Sequence, residues 1–297
     1  MRSAFASFIN WLRSRPVVRR IGRAAVRLIP DIRWTAKVEH VGPMRIRLRR
    51  HRWIYYGDFA RTEHAYALGA FGRLVKPGDV VYDVGANIGL YVRVVCDLFK
   101  ARRVIAFEPM TENYDLLIEN IALGDIQGKV QPLRLALSDV EGEDRLQIDD
   151  VSSGSAVLDS VSGGQPSAGR LHAGLPPATE PVRIVPLDVL IAQDRLDPPD
   201  VIKIDTEGAE IKVLAGARQT LRQHKPRLYI ALHGEDKARG TIELLDELGY
   251  ATFGLVKDPG GMVHRQLHAA DAPNLGDNNI VASMNPDDVR EPIEPYR

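Results

Sequence analysis

Residues 79–92, Asp-Val-Val-Tyr-Asp-Val-Gly-Ala-Asn-Ile-Gly-Leu-Tyr-Val, constrain this chain more than any other stretch. Val80, Val81, Tyr82 and Val84 form the short β-branched and aromatic run that a buried parallel strand uses. Asp83 stands near its C-terminal end, Gly85 and Gly89 bracket a tight turn, and Leu90 to Leu98 reads as a helix. Strand, glycine turn and helix in that order are what an open α/β sheet uses to hold a nucleotide-like ligand. Glycine suits the turn because a Cβ would keep the backbone away from the ligand.

The glycine spacing narrows the ligand. A dinucleotide fingerprint, G-x-G-x-x-G, needs glycines at 85, 87 and 90, where this chain has Gly85, Asn87 and Leu90. A nicotinamide oxidoreductase is therefore disfavoured. A P-loop fails too, since no lysine follows Gly89. The remaining pattern, D-x-G-x-x-x-G, resembles motif I of class I S-adenosylmethionine (SAM) methyltransferases. That resemblance makes Asp83, Gly85, Asn87 and Gly89 cofactor-binding candidates; the alternative is an ordinary βα turn in some other α/β protein.

With 297 residues there is room for one large α/β domain or two small ones. Cys96 is the only cysteine, which excludes a disulfide framework and a Cys-rich metal site and fits a reducing, cytoplasmic setting. The chain is formally neutral, but residues 1–30 hold seven arginines and no Asp or Glu, so the remainder carries −7. A body of that sign argues against nucleic acid as a partner. No apolar run reaches the roughly 18 residues of a membrane span. Phe5, Phe8, Ile9 and Leu12 share one helical face, interrupted at Pro16 and continued by Val17, Val18, Ile21, Ala25 and Leu28. Two readings of this basic arm stand: an interfacial helix on anionic lipid at the inner membrane face, or a helix packed on the body or on a second copy in a homo-oligomer. A signal peptide is disfavoured, because the apolar run is short and arginines follow it.

Residues 31–60 read as a short β-rich lead-in of two or three strands. Residues 62–75 look helical, with Thr62 as N-cap, and Pro77-Gly78-Asp79 turns into the central strand. Arg103–Phe107 is a second strand ending at Glu108, nineteen residues beyond Gly89. An acidic side chain there is where such a sheet grips ribose hydroxyls. Thr111 to Leu123 reads as a helix capped by Thr111, and Val130 to Leu137 as a third strand. Asp139, just after it, is placed beside the adenine amino group. Residues 152–181, rich in Ser, Gly, Pro and Ala, are expected as a flexible loop or lid.

Val182 to Leu187 reads as a strand, followed by a short helix. Val201, Ile202 and Ile204 then form another buried strand with Lys203, Asp205 and Glu207 at its C-terminal end, and Ala209 to Leu221 is helical. Glu210 reads as no more than a charge suited to the helix N-terminus. The run Ile-Lys-Ile-Asp-Thr-Glu-Gly-Ala-Glu-Ile-Lys-Val-Leu-Ala-Gly-Ala at 202–217 resembles the signature of the FkbM-like SAM-dependent methyltransferases. Residues 81–92 and Ala106-Phe-Glu-Pro109 resemble its other two landmarks, in the right order, over about residues 53–235. The resemblance implies an α/β, Rossmann-like class I methyltransferase fold: a mostly parallel seven-stranded sheet with helices on both faces, spanning residues 61–285. It further implies SAM as donor and O-methylation of a sugar, glycan, polyketide or similar small metabolite. A catalytically inactive SAM-binding or membrane-tethered scaffold is the alternative. A fifth strand, Arg227–Leu232, leads to His233, where many relatives carry a glutamate just before the histidine and this chain has Leu232. Two further strands, Tyr250–Val256 and Asn279–Met284, complete the sheet, and residues 286–297 are expected as a loose tail.

Methyl transfer to oxygen requires alignment of the hydroxyl and removal of its proton. Asp205, Glu207 and His233 form the candidate catalytic set, with His233 or Asp205 taking the proton. No metal is assigned, although Asp205 and Glu207 are also of the type that binds Mg²⁺.

Overall fold

The structure, a computed structural model, describes residues 30–51, 54, 63–151, 156–193, 196–259 and 261–291. The basic arm up to residue 29, the Thr62 cap and the end of the tail lie outside them. Among the described residues no helix is long and apolar enough to cross a membrane.

The described residues open with an antiparallel hairpin, β1 (Arg33–Val38) and β2 (Gly42–Arg47), followed by helix α1 (Glu63–Leu74). The central strand β3 (Val80–Val84) is buried at every position, as its apolar run requires. It leads into α2 (Leu90–Asp97), β4 (Arg103–Phe107), α3 (Thr111–Leu123) and β5 (Val130–Leu133). After an insertion come β10 (Val201–Ile204), α7 (Glu210–Ala215), α8 (Arg218–His224), β11 (Arg227–Ala231) and α9 (Glu235–Glu247). Strands β12 (Ala251–Asp258), β13 (Gly261–Gln266) and β14 (Leu275–Ser283) finish the sheet. Its order is β13-β12-β14-β11-β10-β3-β4-β5. The run from β11 to β5 is parallel, while β14 and β13 are antiparallel to their neighbours. This is the mostly parallel Rossmann-like sheet expected, with eight strands instead of seven, because the glycine-containing edge strand β13 lacks a clear alternation. The direction of winding reverses between β3 and β10, which puts a crevice at their C-terminal ends.

Five local expectations are corrected. The third strand stops at Leu133: Pro132 confines β5 to the sheet edge, and Ala136–Leu137 (β6) joins a second, four-stranded sheet. That sheet, ordered β6-β9-β7-β8, consists of β6, β7 (Gly142–Gln147), β8 (Val157–Leu158) and β9 (Thr179–Val185). The stretch expected as a loop at 152–181 therefore holds secondary structure from 156 on, including α4 (Asp159–Ser162) and α5 (Ala168–Ala173). Its small polar residues serve turns and caps, such as Ser167, whose hydroxyl accepts from the Arg170 N–H. Thr111 is the first residue of α3, and the N-cap is Met110.

The helix expected over 209–221 breaks at Gly216, where a Cβ would lie 1.9 Å from the Ser138 carbonyl oxygen. It restarts because Asp188, in α6 (Leu187–Ala192), accepts from the N–H groups of Gln219 and Thr220. At the other end of the chain, Pro286–Asp288 is a 3₁₀ turn and Val289 is buried, so the tail stays docked through that point.

The hairpin buttresses the glycine turn that follows β3. Met44 and Ile46 pack with Ile88, Leu90 and Leu116. The buried Asn120 donates to the carbonyls of Arg45 (3.0 Å) and Ile88 (2.8 Å), tying the hairpin to the glycine turn. Arg93 of α2 donates to the carbonyls of Val41 and Pro43.

Candidate active site

Strand ends build the site. Gly85 has φ +80°, and a Cβ on it would sit 1.9 Å from the Asp205 carbonyl oxygen, so only glycine lets the ends of β3 and β10 meet. Asn87, at φ +50°, bonds its own side chain to the Ile88 N–H at 2.8 Å. Gly89, at φ +84°, is the cap of α2, and a Cβ there would strike Leu117. Glu108, at the end of β4, is 5 % exposed. Its two oxygens accept from the Asn87 N–H (2.7 Å) and the Met110 N–H (2.9 Å). Burial pushes this carboxyl up to about 7, against the pull of those two N–H groups and Asn113.

An open cleft lies over these turns. Gly85, Glu108, Asp205, Thr206 and Glu207 line one side. Ala136, Leu137, Leu146 and Leu158, from the second sheet, line the other. The insertion is thus a wall of the cleft. The three landmarks of the sequence meet in one crevice.

Asp83 does not reach that crevice. It is fully buried in β3, opposite Lys203 in the β10 register, and its Oδ1 accepts from the Lys203 ammonium at 3.0 Å. Burial drives the Asp83 carboxyl upward, and Lys203 opposes it. The ammonium also stands 3.6 Å from Asp205 Oδ2 and 4.9 Å from the centre of the Tyr91 ring. Asp139 also lies outside the cleft lining; it sits 3.8 Å from Lys212 and accepts from Ser138 Oγ. The early end of β5 explains this: the chain has already left the main sheet when it reaches residue 139.

Asp205, Glu207 and His233 do come together. His233 Nε2 stands 3.8 Å from Asp205 Oδ1 and 3.6 Å from Glu207 Oε2. Behind the ring, His233 Nδ1 lies 2.9 Å from Glu210 Oε1. Glu210 is fully buried, and the same oxygen accepts from the Gly208 N–H at 2.9 Å. Burial would raise the Glu210 carboxyl, but His233 and the Gly208 N–H outweigh it and hold it below its ordinary value. Burial would lower the His233 imidazole, but Glu210, Glu207 and Asp205 hold it above its ordinary value. Burial, together with Asp205 and Glu210, lifts the Glu207 carboxyl to about 7, against His233. Glu207 itself sits at φ +52°.

Glu210 is the site residue that sequence reasoning undervalued. Its signal was present: Glu210, Val213 and Leu214 follow the i, i+3, i+4 spacing of one buried face, and a glutamate on an apolar stripe needs a partner. Among the described residues no group of three or more His, Cys, Asp or Glu side chains is arranged to hold a metal ion.

Comparison with known proteins gives a consistent picture. The family model described as the methyltransferase FkbM domain matches residues 83–252. The hexuronic acid methyltransferase AglP of Haloferax volcanii is 27 % identical over 174 residues, which cover 59 % of this chain and 64 % of that protein. The 31-O-demethyl-FK506 methyltransferase FkbM of Streptomyces tacrolimicus is 28 % identical over 188 residues, covering 58 % of this chain and 72 % of that one. The crystal structure of methyltransferase FkbM from Methylobacillus flagellatus aligns with a TM-score of 0.45 at 17 % identity, over 90 % of this chain and 59 % of that one. The match thus spans less than two thirds of the first relative's length.

Proposed function

Because the chain belongs to the methyltransferase FkbM family, we propose that it is a SAM-dependent methyltransferase acting on a hydroxyl of a sugar, glycan or small metabolite. One observation carries this reading: a histidine held from behind by a buried glutamate, with its other ring nitrogen facing two carboxylates that line the cleft over the glycine turn.

The cleft fits the cofactor on its own terms. A floor without a side chain at Gly85 admits a ligand close to the backbone. Glu108 keeps acceptor capacity beyond the bonds it takes from the Asn87 and Met110 N–H groups and the Asn113 side chain, enough for a ribose hydroxyl. The apolar wall of Leu137, Leu146 and Leu158 would take the adenine. Bound there, SAM supplies a methyl group on a sulfonium that needs no further activation.

The chain's part is to align the acceptor hydroxyl and accept its proton. An alcohol resembles water, whose pKa is about 15.7, so the proton can leave only as the new bond forms. Glu210 accepts from Nδ1–H and fixes the tautomer, leaving Nε2 free to take that proton. Lys203 holds one oxygen of Asp205, and the other faces the acceptor position beside Glu207. Asp205 and Glu207 then orient the hydroxyl and stabilise the imidazolium as it forms.

The test is transfer of labelled methyl from SAM to a panel of glycosides and hydroxylated metabolites. His233→Ala should cost about 100-fold or more in kcat while S-adenosylhomocysteine (SAH) still binds. Undiminished turnover in that variant would show that the base lies elsewhere. A thermal shift with NAD(P)H but none with SAM or SAH would overturn the cofactor assignment.

A further inference from the structure

Over the turn that follows Glu207 stands a cation held in no ion pair among the described residues. Lys237 is the third residue of α9, four positions after His233. Its half-buried side chain lies over the Gly208 turn. A Cβ built on Gly208 would meet Lys237 Nζ at 1.9 Å and Cε at 2.9 Å. The ammonium therefore fills the space that any side chain at 208 would need, next to Glu207. Glu210 is committed to His233 (2.9 Å), and Glu235, two residues before Lys237, to Arg239 (3.7 Å). No ion pair among the described residues includes Lys237. The first turn of a helix is also its positive end, a poor place for an unpaired cation. A half-buried lysine kept there without an ion pair leaves its charge available to an anion from outside the chain.

We propose that Lys237 is a specificity-determining residue that binds an anionic group on the acceptor, so that the enzyme favours an acidic sugar over its neutral counterpart. This rests on the methyltransferase reading above and goes further, by naming the substrate class. Charge balance supports it. Asp205 and Glu207 alone would repel an anionic acceptor, whereas Lys237 and His233 together offset them. The raised Glu207 carboxyl weakens the repulsion again near neutral pH.

The test is calorimetric titration of methyl β-D-glucuronide and methyl β-D-glucoside into the full-length protein loaded with SAH. The glucuronide should bind about tenfold or more tightly than the glucoside, as one charge-assisted contact warrants. Lys237→Met should erase that difference while leaving the glucoside and SAH affinities unchanged, and Lys237→Arg should keep most of it. Equal binding of the two sugars by the wild type, or a preference that survives Lys237→Met, overturns the proposal. Failure of SAH to bind would strike the reading of the cleft instead. The comparison of the two sugars on the unloaded protein would then still decide the role of Lys237.

Discussion

Replacing Glu210 by glutamine is the sharpest probe of the site, because it removes a charge and little else. The glutamine Oε1 can still accept from His233 Nδ1–H, so the ring keeps its orientation and tautomer. What goes is the negative charge that stabilises the imidazolium. A hydrogen bond to a charged group is worth about 1.5–3 kcal/mol, which at about 1.4 kcal/mol per tenfold is about a 10- to 100-fold loss in kcat. That is smaller than the loss expected from deleting the base. Two features separate it from general damage. Glu210 is fully buried and its Oε2 has no partner, so the desolvation relieved offsets part of the lost pairing with His233, and the melting temperature should fall only slightly. In addition, Glu210 helps hold the His233 imidazole above its ordinary value, so the ascending limb of the rate profile should move to lower pH in the variant. The assay is initial-rate methyl transfer across the pH range bracketing the histidine, with SAH affinity measured in parallel. A variant with wild-type kcat, or with a reduced kcat and an unmoved limb, would refute the assignment of Glu210 as the group that tunes the base.

Three more outcomes follow from the geometry. Gly85→Ala places a Cβ 1.9 Å from a backbone oxygen that cannot step aside and adds about 1–2 kcal/mol of left-handed strain; SAH binding should be lost by calorimetry, whereas Gly128→Ala, with nothing within 4 Å, should bind normally. Asn120→Ala strips the Ile88 and Arg45 carbonyls of their buried donor, so denaturant unfolding should show a loss of about 1–3 kcal/mol, and SAH should bind more weakly because Ile88 belongs to the cofactor turn. Glu108 is held at about 7 against an ordinary 4.5, so the fold binds a proton that the unfolded chain releases. Stability of the ligand-free protein should therefore fall as pH rises from about 4.5 through about 7, by about 3 kcal/mol from this group alone. The dependence should be shallower in Glu108→Gln, and identical slopes from urea melts of the two proteins would contradict it.

Much of this molecule was legible in one dimension. An apolar run at 80–84 followed by two glycines leaves few solutions besides strand, turn and helix, because burial period and positive φ are local properties. The parallel α/β order then puts Gly85, Glu108 and Asp205 at the same edge of the sheet without reference to any contact. Partnership was not legible. A buried face reveals that something covers it, not what, so the Glu210–His233 pair across 23 residues and the Asp83–Lys203 pair across 120 waited for the folded chain. Asp83 looked like a cofactor ligand because a strand end and a site floor read alike until the neighbouring strand is in place. Asp139 lies off the cleft lining for a related reason: whether a strand continues or crosses to a second sheet is decided by competing hydrogen-bond partners far along the chain. The Ser/Gly/Pro-rich stretch after 152 looked like a loop because small polar residues serve turns and caps as readily as they serve disorder. Sequence alone thus settled that Gly85, Glu108 and Asp205 stand at the crevice, since register and turn chemistry are short-range; tertiary packing alone excluded Asp83 and Asp139 from its lining and chose which side chains act on one another, since charge pairing depends on distances that only the closed fold creates.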